Sequence, residues 1–421
     1  MEDLEDTLMA DDFGFNSTGL QRAVDLLHRY LAEKGLPRPA VRAIGSADRL
    51  PEQLPASGIG ADRALEAIGQ EMLGGSSRLG HPGFFAHMDP PTPWLTWAIA
   101  MWNAALNQNL LHPDTSAAAR TLEQRAIGWL ALAFGMDGGH LVPGSTVANL
   151  TALWAARELA GVEEVVASTA AHLSIRKAAT ILNLRFRELP VGPDQRLQPD
   201  TLGDLSRAAL VLTAGTVAAG VIDRLEAGSP ARWRHVDAAW GGALRLTQFK
   251  SRLDGIERSD SVAFSPHKWL FQPKECGAVF FRNTAAAHQV LSFGGAYLAA
   301  PNIGLLGSHG ANATPLVATM LAWGRVGIAR RIEHCLGLAD QLARLVEAEP
   351  RLELFAAPST GIVLWRPRNA DVRDVRARLV DTFVSLATVD GELWLRSVAA
   401  NPNASASLVV DRVLAAASSR H

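Results

Sequence analysis

Chemistry first becomes legible at Asp237, in HVDAAWGGA, and Lys268, in SPHKWL. Asp237 follows the apolar arrival Arg234 to Val236, and Lys268 follows the next strand-like run, Ser261 to Phe264. Either residue alone at a strand end is usually solvated or structural. An Asp at one strand end with a Ser-x-His-Lys at the next suits a rarer task. A lysine amine can condense with an aldehyde while a carboxylate keeps a pyridine nitrogen protonated, which is the chemistry of pyridoxal 5'-phosphate (PLP). A free lysine, with a pKa of about 10.4, is charged and a poor nucleophile; a pocket with a cationic ring beside it makes the neutral amine accessible.

Such a pair has to be positioned, and the flanking pattern predicts how. Glu164 to Ser168, Ala209 to Thr213, Trp233 to Val236, Ser261 to Phe264 and Ala278 to Phe281 read as buried strands. They alternate with long helical segments, Trp94 to Leu106, Ala117 to Phe134 and Thr146 to Leu159. Strands separated by helices imply a largely parallel α/β sheet, which gathers ligands at its carboxyl edge. Upstream, Gly19 to Gly35, with Thr18 and Gln21 placed as a capping box, and Ala61 to Leu73 read as amphipathic helices whose apolar stripes need a partner. Downstream, a helix from Ile328 to Ala348 leads to strands at Gly361 to Trp365 and Leu393 to Val398 flanking a helix at Val372 to Leu379, a second, smaller α/β unit.

Composition excludes several classes. The 421 residues carry 40 Lys and Arg against 42 Asp and Glu, a net charge of −2 that leaves no footprint for nucleic acid or an anionic membrane. Two cysteines, Cys276 and Cys335, supply neither a disulfide framework nor zinc-ligand spacing, so no metal site is predicted. The acidic start, residues 1 to 16, lacks a secretory pattern, and no run of about 18 apolar residues appears. The expectation is a soluble cytoplasmic protein.

Further motifs stand in order along the chain: HPGFFAHMDPP, the segment around Asn107-Gln108-Asn109, TLEQRAIGWL, PGSTVANLTALWAARE, AHLSIRKAA, TAGTVAAGVID, HVDAAWGGA, SPHKWL and CGAVFFR. In this the chain resembles the group II PLP-dependent amino acid decarboxylases, which include aromatic amino acid, histidine, glutamate and 2,4-diaminobutyrate decarboxylases. The likeness spans about Leu79 to Ser397. It implies PLP-dependent transferase fold type I. A large domain over 76–326 would carry a mainly parallel seven-stranded sheet, with a small C-terminal α/β domain over 327–421 and an N-terminal helical dimerisation segment over 1–75. It also implies a homodimer with shared active sites and an amino acid substrate that loses its α-carboxylate.

Residue by residue, the resemblance makes Lys268 the Schiff-base lysine, Asp237 the pyridinium partner and His172 the imidazole stacked on the cofactor ring. Gly144, Ser145 and Thr146 would cradle the phosphate at a helix N-terminus, with help from Ser265 and His267. The family usually reads Gly-Gly-Thr-Glu-Ala-Asn there; this chain reads Gly144-Ser145-Thr146-Val147-Ala148-Asn149, which keeps the backbone donor. Thr213, in a turn with Gly215 and Thr216, would lie close to the cofactor. Phe84, Phe85, Asn107 and His112 would border the substrate, and the two Phe lean towards an aromatic or imidazole side chain.

The chain also departs from the pattern. Many group II members carry a mobile loop whose tyrosine returns a proton to the substrate carbon, yet only Tyr30 and Tyr297 occur here, and Tyr297 precedes a short connection. That connection is similar to the histidine decarboxylase branch, where a Gly-Ser turn follows a Tyr-Leu pair, so Ser308 and His309 join Tyr297 as candidates at the substrate side. With no assigned proton donor, oxidative deamination or decarboxylation-dependent transamination, both forming an aldehyde, stand as alternatives to amine formation.

Overall fold

A computed structural model of the protein describes residues 14–33, 35–37, 50–228 and 230–418. Most of the acidic start therefore lies outside the described residues. The first helix, α1 (Ser17–Ala32), is capped by Asn16, whose side chain accepts from Gly19 N at 2.9 Å. The expected Thr18 capping box does not form because the helix already begins at Ser17, capped by Asn16, which puts Thr18 inside its first turn. Helix α2 (Ala61–Gly75) packs on α1 through Arg22, which pairs with Asp62 and Glu66. Helices α3 (Trp94–Leu106) and α4 (Ala117–Phe134) follow, each ended by a residue in the left-handed region, Asn107 and Gly135.

The large sheet has seven strands: β1 (Gly138–Val142), β2 (Glu164–Ser168), β3 (Arg185–Leu189), β4 (Ala208–Thr213), β5 (Trp233–Asp237), β6 (Ser261–Phe264) and β7 (Gly277–Phe281). Their order is β1-β7-β6-β5-β4-β2-β3. Pairings within β6-β5-β4-β2-β3 are parallel, and β7 runs against both β6 and β1. Strand alternation divides the core. Ala209, Val211, Ala263, Val279 and Phe281 face helices α5 (Ser145–Ala160) and α6 (Leu173–Ile181) in one apolar cluster. Leu210, Leu212, Val262, Phe264, Ala278 and Phe280 face the opposite cluster with α4. β4 to β7 are buried along their whole length, as strands covered on both faces must be.

Beyond β7 come α7 (Thr284–Val290), a two-stranded ribbon of β8 (Ser292–Phe293) and β9 (Asn302–Ile303), and α8 (Ala313–Ala348). The helix expected from Ile328 thus starts earlier. It is interrupted at Gly324, whose φ of 58° and ψ of 179° only glycine adopts readily. The rest forms a four-stranded antiparallel sheet, ordered β10 (Leu352–Leu354), β11 (Ile362–Pro367), β13 (Glu392–Val398), β12 (Ser385–Val389), with α9 (Val372–Arg378) and α10 (Ala406–Ser418). Its apolar face joins the α4-side core: Val363, Trp365, Leu395 and Val409 belong to the same cluster as Phe264 and Phe280.

Candidate active site

The carboxyl ends of β2, β4, β5 and β6 lie along one edge of the sheet, and the turns there have physical anchors. Asp237 ends β5 and is 4% exposed. Its Oδ1 accepts from Ala239 N at 3.1 Å and its Oδ2 from Asn149 Nδ2 at 3.0 Å. The turns after Asp237 and around Lys268 are pinned by their tryptophans. Trp240 and Trp269 stack with centroids 4.1 Å apart, and each donates its indole N–H to a carbonyl near the small sheet, Thr360 O at 2.7 Å and Ala399 O at 2.9 Å. A side chain at Gly241 would press on Ala214 O at 2.5 Å, so the AAWGG turn packs directly on the turn that follows Thr213. Asp223 fixes that turn from behind, accepting from Thr213 N and Leu197 N, both at 2.8 Å.

Lys268, His172 and Asp237 lie within electrostatic reach of one another. Burial lowers the Lys268 ammonium below the ordinary lysine range, with Lys274 and Arg396 adding to the effect and Asp237 and Asp89 opposing it. His172 caps α6, its Nδ1 accepting from Ser174 N at 3.2 Å and lying 2.7 Å from Ser174 Oγ. Burial lowers its pKa too, against the pull of Asp237.

Helix α5 opens at Gly144 with no side-chain cap. Gly144 has φ of 154°, and a Cβ on Gly277 would stand 2.5 Å from Gly144 Cα, so the β7 entrance and the α5 entrance touch backbone to backbone. At the same carboxyl edge of the sheet, Ser265 Oγ, His267 Nδ1, Thr213 Oγ1 and Ser168 Oγ, of residues at or just past the strand ends, are buried without a hydrogen-bond partner among the described residues. Burial holds His267 at a pKa of about 4, with Lys274 and Lys268 adding to it, so its imidazole is neutral. Buried polar atoms left open beside an uncapped helix N-terminus fit a phosphorylated ligand. A carboxylate and a lysine of lowered pKa fit its pyridine nitrogen and aldehyde. The residues present therefore fit PLP.

Other expected site residues fall elsewhere. Phe85 is buried in the α4-side core, and Phe84 packs with Phe383 at 5.5 Å. Asn107 is exposed at the end of α3. His112 accepts from Ser116 Oγ at 2.7 Å through its carbonyl. Ser308 Oγ bonds Asn109 Nδ2 at 3.0 Å, and His309 O accepts from Leu110 N at 2.9 Å. His309 lines a cavity of 210 Å³ beside β1, with Glu123, His140 and His288. Tyr297 is 75% exposed. None of these is among the electrostatic neighbours of Lys268.

The structure adds residues that sequence reading passed over. Arg396 on β13 is buried, donates to Val217 O at 2.7 Å, and burial pulls its pKa down to about 10. No carboxylate lies within ion-pair distance of it among the described residues, although Asp89 acts on it through space. Its signal was present: an Arg inside the apolar run of ELWLRSV is out of place unless it has a task. His87, in the left-handed region at φ of 45°, sits near Asp89 and Arg396, and Asp89 pairs with Lys274.

A doubly covered α/β sheet with a lysine and an aspartate at adjacent strand ends, beside a phosphate-ready helix, defines a PLP enzyme of fold type I. Residues 46–368 match the family described as Pyridoxal-dependent decarboxylase conserved domain, and the chain belongs to that family. L-2,4-diaminobutyrate decarboxylase of Rhizobium meliloti (strain 1021) is 31% identical over 411 residues, covering 86% of this chain and 82% of that protein. Oryza sativa TDC, solved with PLP and tryptamine, has a TM-score of 0.86 at 22% identity, covering 96% of this chain and 100% of that one. Rhodiola rosea 4-hydroxyphenylacetaldehyde synthase gives 0.86 at 20%, covering 95% and 97%. At such identities the solved structures establish the fold. The family match and the curated relative establish a PLP-dependent carboxy-lyase acting on an amino acid.

Proposed function

We propose that this enzyme releases CO2 from an L-amino acid to give the amine, with Lys268, Asp237, His172 and Arg396 as the working residues. The observation that carries the reading is their mutual electrostatic reach: a partly buried lysine of lowered pKa acted on by a buried carboxylate and by a buried guanidinium without a carboxylate partner among the described residues. PLP, when bound, supplies the aldehyde that takes the substrate amine and the ring that accepts the electron pair left by CO2. Lys268, its ammonium pKa lowered by burial, would supply the neutral amine that holds the cofactor's aldehyde. Asp237 would hold the proton on the ring nitrogen. Gly144, Ser145, Thr146, Ser265, His267 and Thr213 would hold the cofactor in place. A buried guanidinium without a counter-ion is costly, so Arg396 is suited to a substrate carboxylate.

Among substrates we place amino acids with a side-chain amine first, L-2,4-diaminobutyrate among them. The named relative supports this, as does Asp89, the second carboxylate that acts on Lys268. The aromatic preference loses its footing because Phe84 and Phe85 are packed away. A homodimer is supported by the exposed apolar face of α3, with Trp94, Trp97, Met101, Trp102 and Leu106 all exposed, and by Leu20, Val24, Ile68 and Met72 on α1 and α2. In a dimer, the segment carrying Tyr297, Ser308 and His309 serves the neighbouring subunit's site, bordered by Asn107 and His112. A cytoplasmic setting is supported by two free, buried thiols, and no helix among the described residues is long and apolar enough to cross a membrane.

The test is a screen of amino acids for CO2 with quantified products, alongside light scattering. Equal amounts of CO2 and amine from a dimer support the proposal. Aldehyde with oxygen consumption selects the oxidative alternative, and a shift of product from amine to aldehyde in Tyr297→Phe or His309→Gln identifies the proton donor.

A further inference from the structure

Behind Asp237 lies a buried chain of side chains whose hydrogen atoms can be assigned one by one. Trp233 Nε1–H can only donate, and it lies 2.9 Å from Ser261 Oγ. Ser261 Oγ lies 2.9 Å from His235 Nδ1 and donates to it, because Asp237 can only accept: Asn149 therefore turns its Nδ2 to Asp237 and its Oδ1 to His235, whose Nε2 must carry the ring proton. With Nδ1 an acceptor, neutral His235 carries its proton on Nε2, which donates to Asn149 Oδ1 at 2.9 Å. The Asn149 amide points its Nδ2 the other way. Its two N–H bonds go to Asp237 Oδ2 at 3.0 Å and Ser174 Oγ at 2.9 Å. Ser174 then donates to His172 Nδ1 at 2.7 Å, where Ser174 N–H converges as well.

Every bond in the chain runs in one direction, from Trp233 towards the cleft, and forks at Asn149. Trp233, Ser261, His235, Asn149, Ser174 and Asp237 are all buried. The buried imidazole is neutral, its pKa lowered to about 4 by burial against the opposing pull of Asp237. No cation belongs to the relay, so the charge of Asp237 is oriented without being neutralised. The other branch leaves His172 with Nδ1 as acceptor and its proton on Nε2.

We propose that Asn149, His235 and Ser261 are positioning residues: a one-way neutral relay that holds Asp237 aimed and fixes the tautomer of His172. The proposal rests on the reading of Asp237 as partner of the cofactor's ring nitrogen. It assigns these residues work through Asp237 and His172, with no contact of their own to substrate.

The discriminating variant is Asn149→Asp, compared with Asn149→Ala. If Asn149 merely fills space, the isosteric Asp disturbs less than Ala. If it sets charge, Asp is the worse change, because two carboxylates about 3 Å apart cannot both stay ionised. The readouts are the pH titration of the visible absorbance of PLP-loaded protein and the dissociation constant for PLP, with circular dichroism to confirm folding. Expected for Asn149→Asp is a shift of the titration by about one pH unit or more and PLP binding weakened about tenfold or more, exceeding Asn149→Ala in both. His235→Leu, which keeps bulk but removes the donor, shifts the titration in the same direction by less, and His235→Gln, which keeps a donor, recovers most of that loss. A wild-type titration in Asn149→Asp, or a milder effect than in Asn149→Ala, overturns the relay. Should Asn149→Asp not fold, His235→Leu with a wild-type titration overturns it equally. An unchanged titration in Asp237→Asn overturns the assignment of Asp237 beneath it.

Discussion

Two buried clusters of titratable groups sit on either side of β7, and they do different things. Near β6 are Asp237, Lys268, His172 and His267; beside β1 are Glu123, His140, His288 and His309. Burial depresses His172 and His267 in the first and His140 and His288 in the second, and it raises the Glu123 carboxyl as it lowers the Lys268 ammonium. By density of perturbed groups the clusters are alike. They differ in what the backbone brings to them. The first lies at the carboxyl ends of parallel strands and at the uncapped start of α5, with four polar atoms open to a ligand. The second lies on the edge strand, where His140 Nδ1 and His288 Nε2 face each other at 3.1 Å and one such atom, His140 Nε2, is left open. A perturbed pKa thus marks burial, and only the convergence of strand ends, helix terminus and open polar atoms marks a site.

The sharpest way to break this contrast is Lys268→Ala. CO2 release should vanish and the protein should lose the yellow colour of lysine-bound cofactor while circular dichroism stays native; turnover close to wild type without added amine would move the chemistry elsewhere. Asp237→Asn should retain cofactor through its phosphate and lose at least about a hundredfold in turnover, measured by CO2 release. Gly277→Ala should act through geometry alone. Its new methyl meets the Gly144 backbone, so PLP binding should weaken about tenfold, read by equilibrium dialysis, at an overpacking cost of about 1–3 kcal/mol.

Buried imidazoles, His140 of the second cluster among them, give the smallest effect, and it should appear in stability. His140, His235 and His267 have pKa values of about 3, 4 and 4, below the ordinary 6.5. An unfolded chain takes up protons below pH 6.5 that these buried rings refuse, so stability falls as pH drops from about 6.5 towards 4 and shows no slope from them above it. Each contributes at most about 1.4 kcal/mol per pH unit. His140→Asn should flatten the fall in melting temperature between pH 7 and 5 and leave the visible spectrum of the holoenzyme unchanged. A changed spectrum would tie the β1 cavity to the cofactor.

What sequence could reveal follows the same division. The runs VVA, ALVL, SVAF and AVFF announce β2, β4, β6 and β7 because strands buried on both faces must be apolar throughout. β3, with RFREL on the open edge of the sheet, and β1, with two glycines, carry no such signal and were missed. Lys268 and Asp237 were readable from their motifs, as was the helix entrance at Gly144. The relay was not. Asn149 and His235 are far apart in the chain, and nothing local in HVD or in VANL says that one ring fixes the other's amide. Phe84 and Phe85 were read as pocket walls because aromatic residues serve both walls and cores, and only packing separates the two.

The apolar cluster that runs from Phe85 to Ala416 has a consequence for biosynthesis. By the time residue 326 leaves the ribosome, every strand of the large sheet has been made, together with Asp237 and Lys268. The side chains of Leu352, Trp365, Leu395 and Val409, which cover part of one face of that sheet, have not. During that interval the nascent chain holds the active-site residues while part of the apolar face that the small sheet covers is still bare, the kind of surface that makes a partly built protein prone to stick to others. Completion therefore waits on α10, and the order of synthesis puts the catalytic residues before the core that will hold them.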